Sequence, residues 1–260
     1  MQTIQVDGVS LHYETAEAGT RYLAPVLILP GLFQSTECWS GITSMLAHRG
    51  WDVYILPRDA GAGDAADQVG WDSTIDRAAR AITGLGGSVI VIGADLGAAI
   101  ALSLPDEARP LALGLFAPTN PDALAAAYTN SLGFLARRRE RRASGPVAAP
   151  GPIASTAREA RFMQPESRAL LDDIQAGVGF SPPATHPPAI VFAPDADPLV
   201  ATEEAAGFAR NDYSKPARSR LRGRFWPTSG WEPACDDFHR FLILTLSDRV
   251  VEFPDEIIND

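Results

Sequence analysis

Residues 2–6 and 9–14 alternate apolar and polar side chains around Asp7-Gly8, the pattern of a β-hairpin. The next segment has a different character. Ala24 to Pro30 (Ala-Pro-Val-Leu-Ile-Leu-Pro) is a continuous apolar run bounded by proline and glycine, which is how a strand buried on both faces reads. Trp39, Ile42, Met45 and Leu46 then recur at helical spacing, predicting a helix over 36–49 that Gly50 ends. Val53 to Leu56 is a second buried strand, and 57–70 is a loop rich in Gly, Ala and Asp. A helix is predicted over 72–83, capped by Asp72 or Ser73. Val89 to Ile92 is a third buried strand, followed by a helix from Ala98 to Leu104 and a fourth strand from Leu111 to Phe116.

Strands alternating with helices in this rhythm predict βαβ units and a mostly parallel central sheet flanked by helices. The rhythm breaks over 119–188, which carries helical stretches, an arginine cluster and a Pro/Gly/Ala-rich run at 144–155. It resumes with a strand at Ile190 to Ala193, a helix over 201–210, a strand from Arg218 to Phe225 and a helix over 236–249. About seventy residues are too long for a connection. The expected organisation is therefore one α/β core built from 1–118 and 189–260, with 119–188 as a helical cap.

Composition changes this picture little. The chain has 260 residues, and α/β folds of that size often form one unit. The net charge of -10 argues against nucleic acid and against an anionic membrane surface as partners. Two cysteines, Cys38 and Cys235, make neither a disulfide framework nor a zinc cluster, so no metal is expected. The polar, alternating N-terminus is no signal peptide, and no run approaches a membrane span, so a cytoplasmic location is expected. The run Arg137-Arg138-Arg139-Glu140-Arg141-Arg142 reads as the solvated end of a helix, where cations suit the dipole, rather than as a phosphate site.

The candidate chemistry sits in Ser88 to Leu102, SVIVIGADLGAAIAL: a buried strand, then Gly93-Ala94-Asp95-Leu96-Gly97-Ala98, then a helix. So tight a strand-to-helix turn needs small residues two positions either side of its centre, and Gly93, Gly97 and Ala98 satisfy that. The turn lifts the Asp95 side chain above the sheet, at a helix N-terminus that favours an anion. A positive φ is expected at Asp95. A dinucleotide-binding turn would need G-x-G-x-x-G, which is absent, and no cofactor is expected.

This turn resembles the nucleophile elbow of the α/β-hydrolase superfamily, and the resemblance covers nearly the whole chain apart from 119–188. It implies the α/β-hydrolase fold. Pro30-Gly31-Leu32-Phe33 stands where family members often read His-Gly-x, which implies an oxyanion hole from the N–H groups of Leu32 and Leu96, lined by Gly31 and Phe33. Asp195-Ala196-Asp197-Pro198-Leu199-Val200 is similar to the family segment that carries the triad acid, which implies Asp197. Asp rather than Ser at position 95 resembles the haloalkane dehalogenases and epoxide hydrolases, in which a carboxylate attacks an sp³ carbon and a histidine-activated water cleaves the resulting ester.

Two residues depart from that branch. Leu96 follows the nucleophile where Trp or Arg is common, and Trp231 in Thr228-Ser229-Gly230-Trp231 takes the place of the histidine. Of the four histidines, His12 lies in the first hairpin, His48 ends a helix, His186 precedes a core strand, and His239 lies about 12 Å of helix beyond Trp231. The resemblance thus implies an enzyme acting on a small to medium apolar substrate through Asp95, by hydrolysis of a C–O or C–halogen bond. A degenerate fold that binds a ligand or partner, or that uses Asp95 and Asp197 for proton transfer, stays open.

Overall fold

Val26-Leu27-Ile28-Leu29, Ile90-Val91-Ile92, Ala112 to Phe116 and Ala189 to Phe192 are all buried, and each buried Val, Leu, Ile or Phe contributes about 1.5–3 kcal/mol. No single helix face could hide four such runs. They pair as neighbours and are covered on both sides. A computed structural model describes residues 1–17, 19, 21–58, 69–131, 146–148, 157–197, 199–209, 214–217, 221, 225 and 227–252. Its strands in chain order are β1 (Gln2–Val6), β2 (Val9–Glu14), β3 (Arg21–Tyr22), β4 (Val26–Leu29), β5 (Val53–Ile55), β6 (Ile90–Ala94), β7 (Ala112–Phe116), β8 (Ala189–Phe192), β9 (Ser214–Pro216) and β10 (Val251–Glu252).

Eight of them form one sheet in the order β1-β2-β5-β4-β6-β7-β8-β9. The hairpin β1–β2 joins antiparallel to β5, and every pair from β5 to β9 is parallel. The chain leaves β4 towards β5 on one side, and β6 lies on the other. The order therefore reverses at the β4/β6 boundary, the topological switch point where α/β sheets place their sites.

The helices used below are α1 (Ser40–His48), α2 (Trp71–Gly84), α3 (Leu96–Leu102), α4 (Pro121–Ser131), α5 (Ala157–Ala160), α6 (Arg168–Ala176), α7 (Thr202–Gly207) and α8 (Glu232–Val250). Gly50, at φ 96°, ends the first of these stretches, with the Trp51 N–H returning to the Leu46 carbonyl. Two expectations need correction. Residues 36–39 form a 3₁₀ turn before α1, so the helix proper begins at Ser40. Helix α2 starts at Trp71 with Gly70 as its N-cap, so neither Asp72 nor Ser73 caps it; Asp173 of α6 accepts the Trp71 N–H at 2.8 Å instead. Most of the strand expected over Arg218 to Phe225 lies outside the described residues; Leu221, which is described, makes a parallel bridge to Pro194, and β9 at Ser214–Pro216 pairs with β8 before it.

Described residues of the segment between β7 and β8 lie against the loop that leaves β4 at the C-terminal edge of the sheet. Gln34 bridges Met163, the Ser35 N–H donates to the Phe162 carbonyl, and the Gln164 N–H donates to the Phe33 carbonyl. The arginine cluster at 137–142 lies outside the described residues. Among the described residues, no helix is long and apolar enough to cross a membrane.

Candidate active site

Asp95 leaves the end of β6 with φ 37° and ψ −105°, a conformation that costs a non-glycine residue about 1–3 kcal/mol. Its neighbours show why the turn tolerates so little bulk. A Cβ at Gly93 would stand 2.5 Å from the Ala98 Cα, and one at Gly97 would stand 2.7 Å from the Pro30 carbonyl oxygen. Helix α3 thus packs its first turn directly on the backbone leaving β4. The Asp95 N–H donates to the Phe116 carbonyl at 2.9 Å, tying the corner to β7 as well.

The Asp95 side chain is buried, and it does not point into open space. Its Oδ1 accepts the Leu32 N–H at 2.7 Å and also the Leu96 N–H. The two amides that sequence reasoning assigned to an oxyanion therefore meet on the carboxylate of Asp95 itself. Gly31 floors this arrangement: a Cβ there would lie 2.5 Å from Oδ2 and 2.7 Å from Cγ and Oδ1. Backbone N–H groups and a helix N-terminus are an anion's partners, so the corner is built to hold a carboxylate.

The loop that presents Leu32 is itself held at three successive N–H groups. Gly31 N–H donates to Gln34 Oε1 at 2.8 Å, Leu32 to Asp95, and Phe33 to Glu166 Oε1 at 2.6 Å. Phe33 takes a positive φ of 63° to make this possible. Its buried ring meets Tyr128 of α4 with centroids 5.4 Å apart, so the inserted segment supplies apolar cover beside the corner. Gln34, fully buried, donates its Nε2 to the Phe225 carbonyl at 2.9 Å and so joins this loop to the far side of the site. Cys38 lies close by, where burial holds its thiol well above the usual range and the charges of Glu37 and Asp95 add to that.

The remaining candidate residues make the following contacts. Asp197 follows β8 and spends Oδ1 on its own turn, accepting the N–H groups of Leu199 at 2.7 Å and Val200 at 3.2 Å. Trp231 precedes α8 and lays its indole over α1, where a Cβ at Gly41 would meet Trp231 Cζ2 at 2.7 Å. A second buried carboxylate, Glu166, holds the next amide of the loop; it is 2% exposed and ion-paired to Arg58 at 2.8 Å. Neither Glu166 nor Arg58 was found from sequence, since the partners are 108 positions apart and belong to no motif. Gln34 had one local signal, a side-chain acceptor three residues after Gly31.

All four histidines serve other contacts. His239 Nδ1 accepts the Trp51 indole N–H at 3.1 Å, and Trp51 enters β5 at its N-terminal end, opposite to the edge that carries Asp95. Burial, and after it the Arg49 charge, lowers the His239 pKa. His48 pairs with Glu17 at the surface, 2.6 Å away. His186 bonds the Pro187 carbonyl below the start of β8. His12 lies 3.3 Å from Thr36 on β2, three strand spacings, about 14 Å, from β6.

No family model matches this chain, and no curated protein matches it by sequence. Solved structures match over nearly its whole length. A thermophilic esterase from Thermogutta terrifontis aligns with a TM-score of 0.65 at 16% identity, covering 94% of this chain and 99% of its own. A monoacylglycerol lipase from Paleococcus ferrophilus gives 0.62 at 13%, covering 94% and 100%. An enol-lactonase from Burkholderia xenovorans gives 0.59 at 16%, covering 95% and 100%. With a mostly parallel sheet, an antiparallel hairpin at one edge and the Asp95 corner at the topological switch point, the chain has the α/β-hydrolase fold.

Proposed function

We propose that this protein is an enzyme that acts through the Asp95 carboxylate on an sp³ carbon of a small to medium apolar substrate, breaking a C–O or C–halogen bond. The observation that carries this reading is the pairing of both the Leu32 and Leu96 amides with Asp95 Oδ1. In acyl transfer those amides would have to receive the substrate's oxyanion, and here they are committed to the protein's own carboxylate. In alkyl transfer they are already in the right place. Oδ2 forms the new C–O bond, the leaving group departs with the electron pair of the broken bond, and Oδ1 becomes the carbonyl oxygen of the ester. The same two N–H groups then polarise that carbonyl.

In this reading 119–188 is a cap over the core of 1–118 and 189–260, and Phe33 and Tyr128 supply apolar wall. In the same reading Asp197, which follows β8 at the sheet edge that carries Asp95, serves as the site's acid.

A second reading is ligand binding with little or no multiple turnover. It is favoured by the placement of the four histidines and by Trp231, whose ring lies on Gly41. A general base contributes about 10²–10⁴-fold to ester hydrolysis, so an alkylated Asp95 would persist. The experiment is a panel of haloalkanes, epoxides and esters on wild type, Asp95→Asn and Trp231→His, with product formation and intact mass followed together. A mass adduct on wild type but not on Asp95→Asn supports alkyl transfer to Asp95; product formation from it supports the first reading, a lasting adduct without product the second, and turnover gained in Trp231→His the account of the missing base. Sustained wild-type turnover on esters, retained in Asp95→Asn, would overturn both readings.

A further inference from the structure

Glu166 belongs to none of the chemistry above, yet it is as buried as Asp95 and stands one amide away from it. Its Oε1 accepts the Phe33 N–H at 2.6 Å and Arg58 Nε at 2.8 Å. Arg58 turns its Nη1 to the Pro30 carbonyl, 3.1 Å away. One ion pair therefore grips the loop on both sides, by the carbonyl of Pro30 and by the N–H of Phe33. The Leu32 N–H, which holds Asp95, lies between the two grips. The left-handed backbone of Phe33 is unfavourable for a bulky residue, and the Glu166 bond is what its N–H receives in return.

We propose that Glu166 and Arg58 are a positioning pair that aims the Leu32 amide at Asp95, so that docking of the inserted segment sets how the carboxylate is held. Three features point this way. The pair is almost fully buried, with side chains 5% and 1% exposed, where a charge left without its partner is strongly disfavoured. The planar guanidinium reaches two acceptors at once, a geometry that a lysine ammonium does not reproduce. And Glu166 arrives from the inserted segment, held there by reciprocal backbone bonds to Val147, whereas Pro30 to Phe33 belongs to the core. The functional consequence rests on Asp95 being the reacting group; the effect on the Leu32 amide does not.

The test uses the full-length protein labelled with ¹⁵N and the variants Glu166→Gln, Arg58→Lys and the double variant Arg58→Met/Glu166→Gln. The double variant removes both charges together and strands neither. An amide hydrogen bonded to a carboxylate resonates downfield and exchanges slowly. In all three variants the Leu32 amide should move upfield and exchange about tenfold faster, the loss of one hydrogen bond of ordinary strength. The Leu96 amide, bonded within its own turn, should stay. A purely structural role would instead lower Tm while leaving the Leu32 shift in place. Unchanged Leu32 shift and exchange in the folded double variant overturns the proposal. A second arm follows alkylation of Asp95 by 1,2-epoxyhexane through intact mass, with a fall of about tenfold expected in Glu166→Gln. Absence of any adduct on wild type would overturn the proposed function alone, because the amide readout still judges the positioning pair. Equal alkylation rates in wild type and the double variant would overturn the pair's control of reactivity.

Discussion

Gly31→Ala should loosen the hold on Asp95 more than it disturbs the loop. A Cβ at Gly31 would lie 2.5 Å from Oδ2 and 2.7 Å from both Cγ and Oδ1, where non-bonded heavy atoms prefer about 3.5 Å. The carboxylate or the loop must give way by about 1 Å, and the 2.7 Å bond from Leu32 cannot stretch that far and survive. A hydrogen bond to a charged group is worth about 1.5–3 kcal/mol, so the variant should unfold about 3–12 °C lower. Thermal unfolding followed by circular dichroism measures this. The decisive control is a double-mutant cycle with Asp95→Ala. Once the carboxylate is gone, the same Gly31→Ala change should cost less than about 1 kcal/mol, because the added methyl then meets space. An equal cost in both backgrounds would refute the reasoning, since the penalty would then come from the backbone of the loop and not from Asp95.

Gly97→Ala should destabilise by about 1–3 kcal/mol or more whatever stands at position 95, because its Cβ would press on the backbone of Leu29 and Pro30; chemical denaturation in the wild-type and Asp95→Ala backgrounds checks this. Cys235, with its thiol pushed up to about 12 by burial, and Cys38, held well above the usual range, should resist a thiol reagent at pH 8 in the native protein and react only on unfolding. The His239 pKa is lowered in the folded state, so its neutral form contributes stability that is present above the unfolded value of about 6.5 and is lost as pH falls through that value. Unfolding free energies between about pH 7.5 and 5.5 should therefore vary less in His239→Gln than in wild type. Asp173→Ala removes the acceptor for the first N–H of α2 and should cost about 1 kcal/mol, measured by denaturant midpoint at unchanged m-value.

The sequence by itself determined the sheet and the corner. Val26 to Leu29 and Ile90 to Ala94 are apolar without alternation, and only burial on both faces accounts for that; a parallel sheet between helices follows. Gly93 and Gly97 flank Asp95 at the one spacing the tight turn allows, so the strained residue could be named from a dozen letters. These features were legible because each is written in neighbouring residues. Helix starts were less so. Asp72 and Ser73 have capping chemistry, yet α2 begins one residue earlier because Asp173, about a hundred positions on, receives the Trp71 N–H.

What only the tertiary structure decided is where the polar atoms of the site point. Asp197 turns Oδ1 to the N–H groups of its own turn, and Trp231 lies on Gly41. A carboxylate announced by no motif, Glu166, takes the amide next to the one that Asp95 takes, brought from the inserted segment to meet Arg58 from the end of β5. That Leu32 and Leu96 both close on Asp95 Oδ1 could be foreseen as a pair of amides but not as a filled one. The physical reason is reach. Hydrophobic periodicity is a property of adjacent residues, whereas a buried hydrogen bond depends on two side chains whose approach is set by everything folded between them.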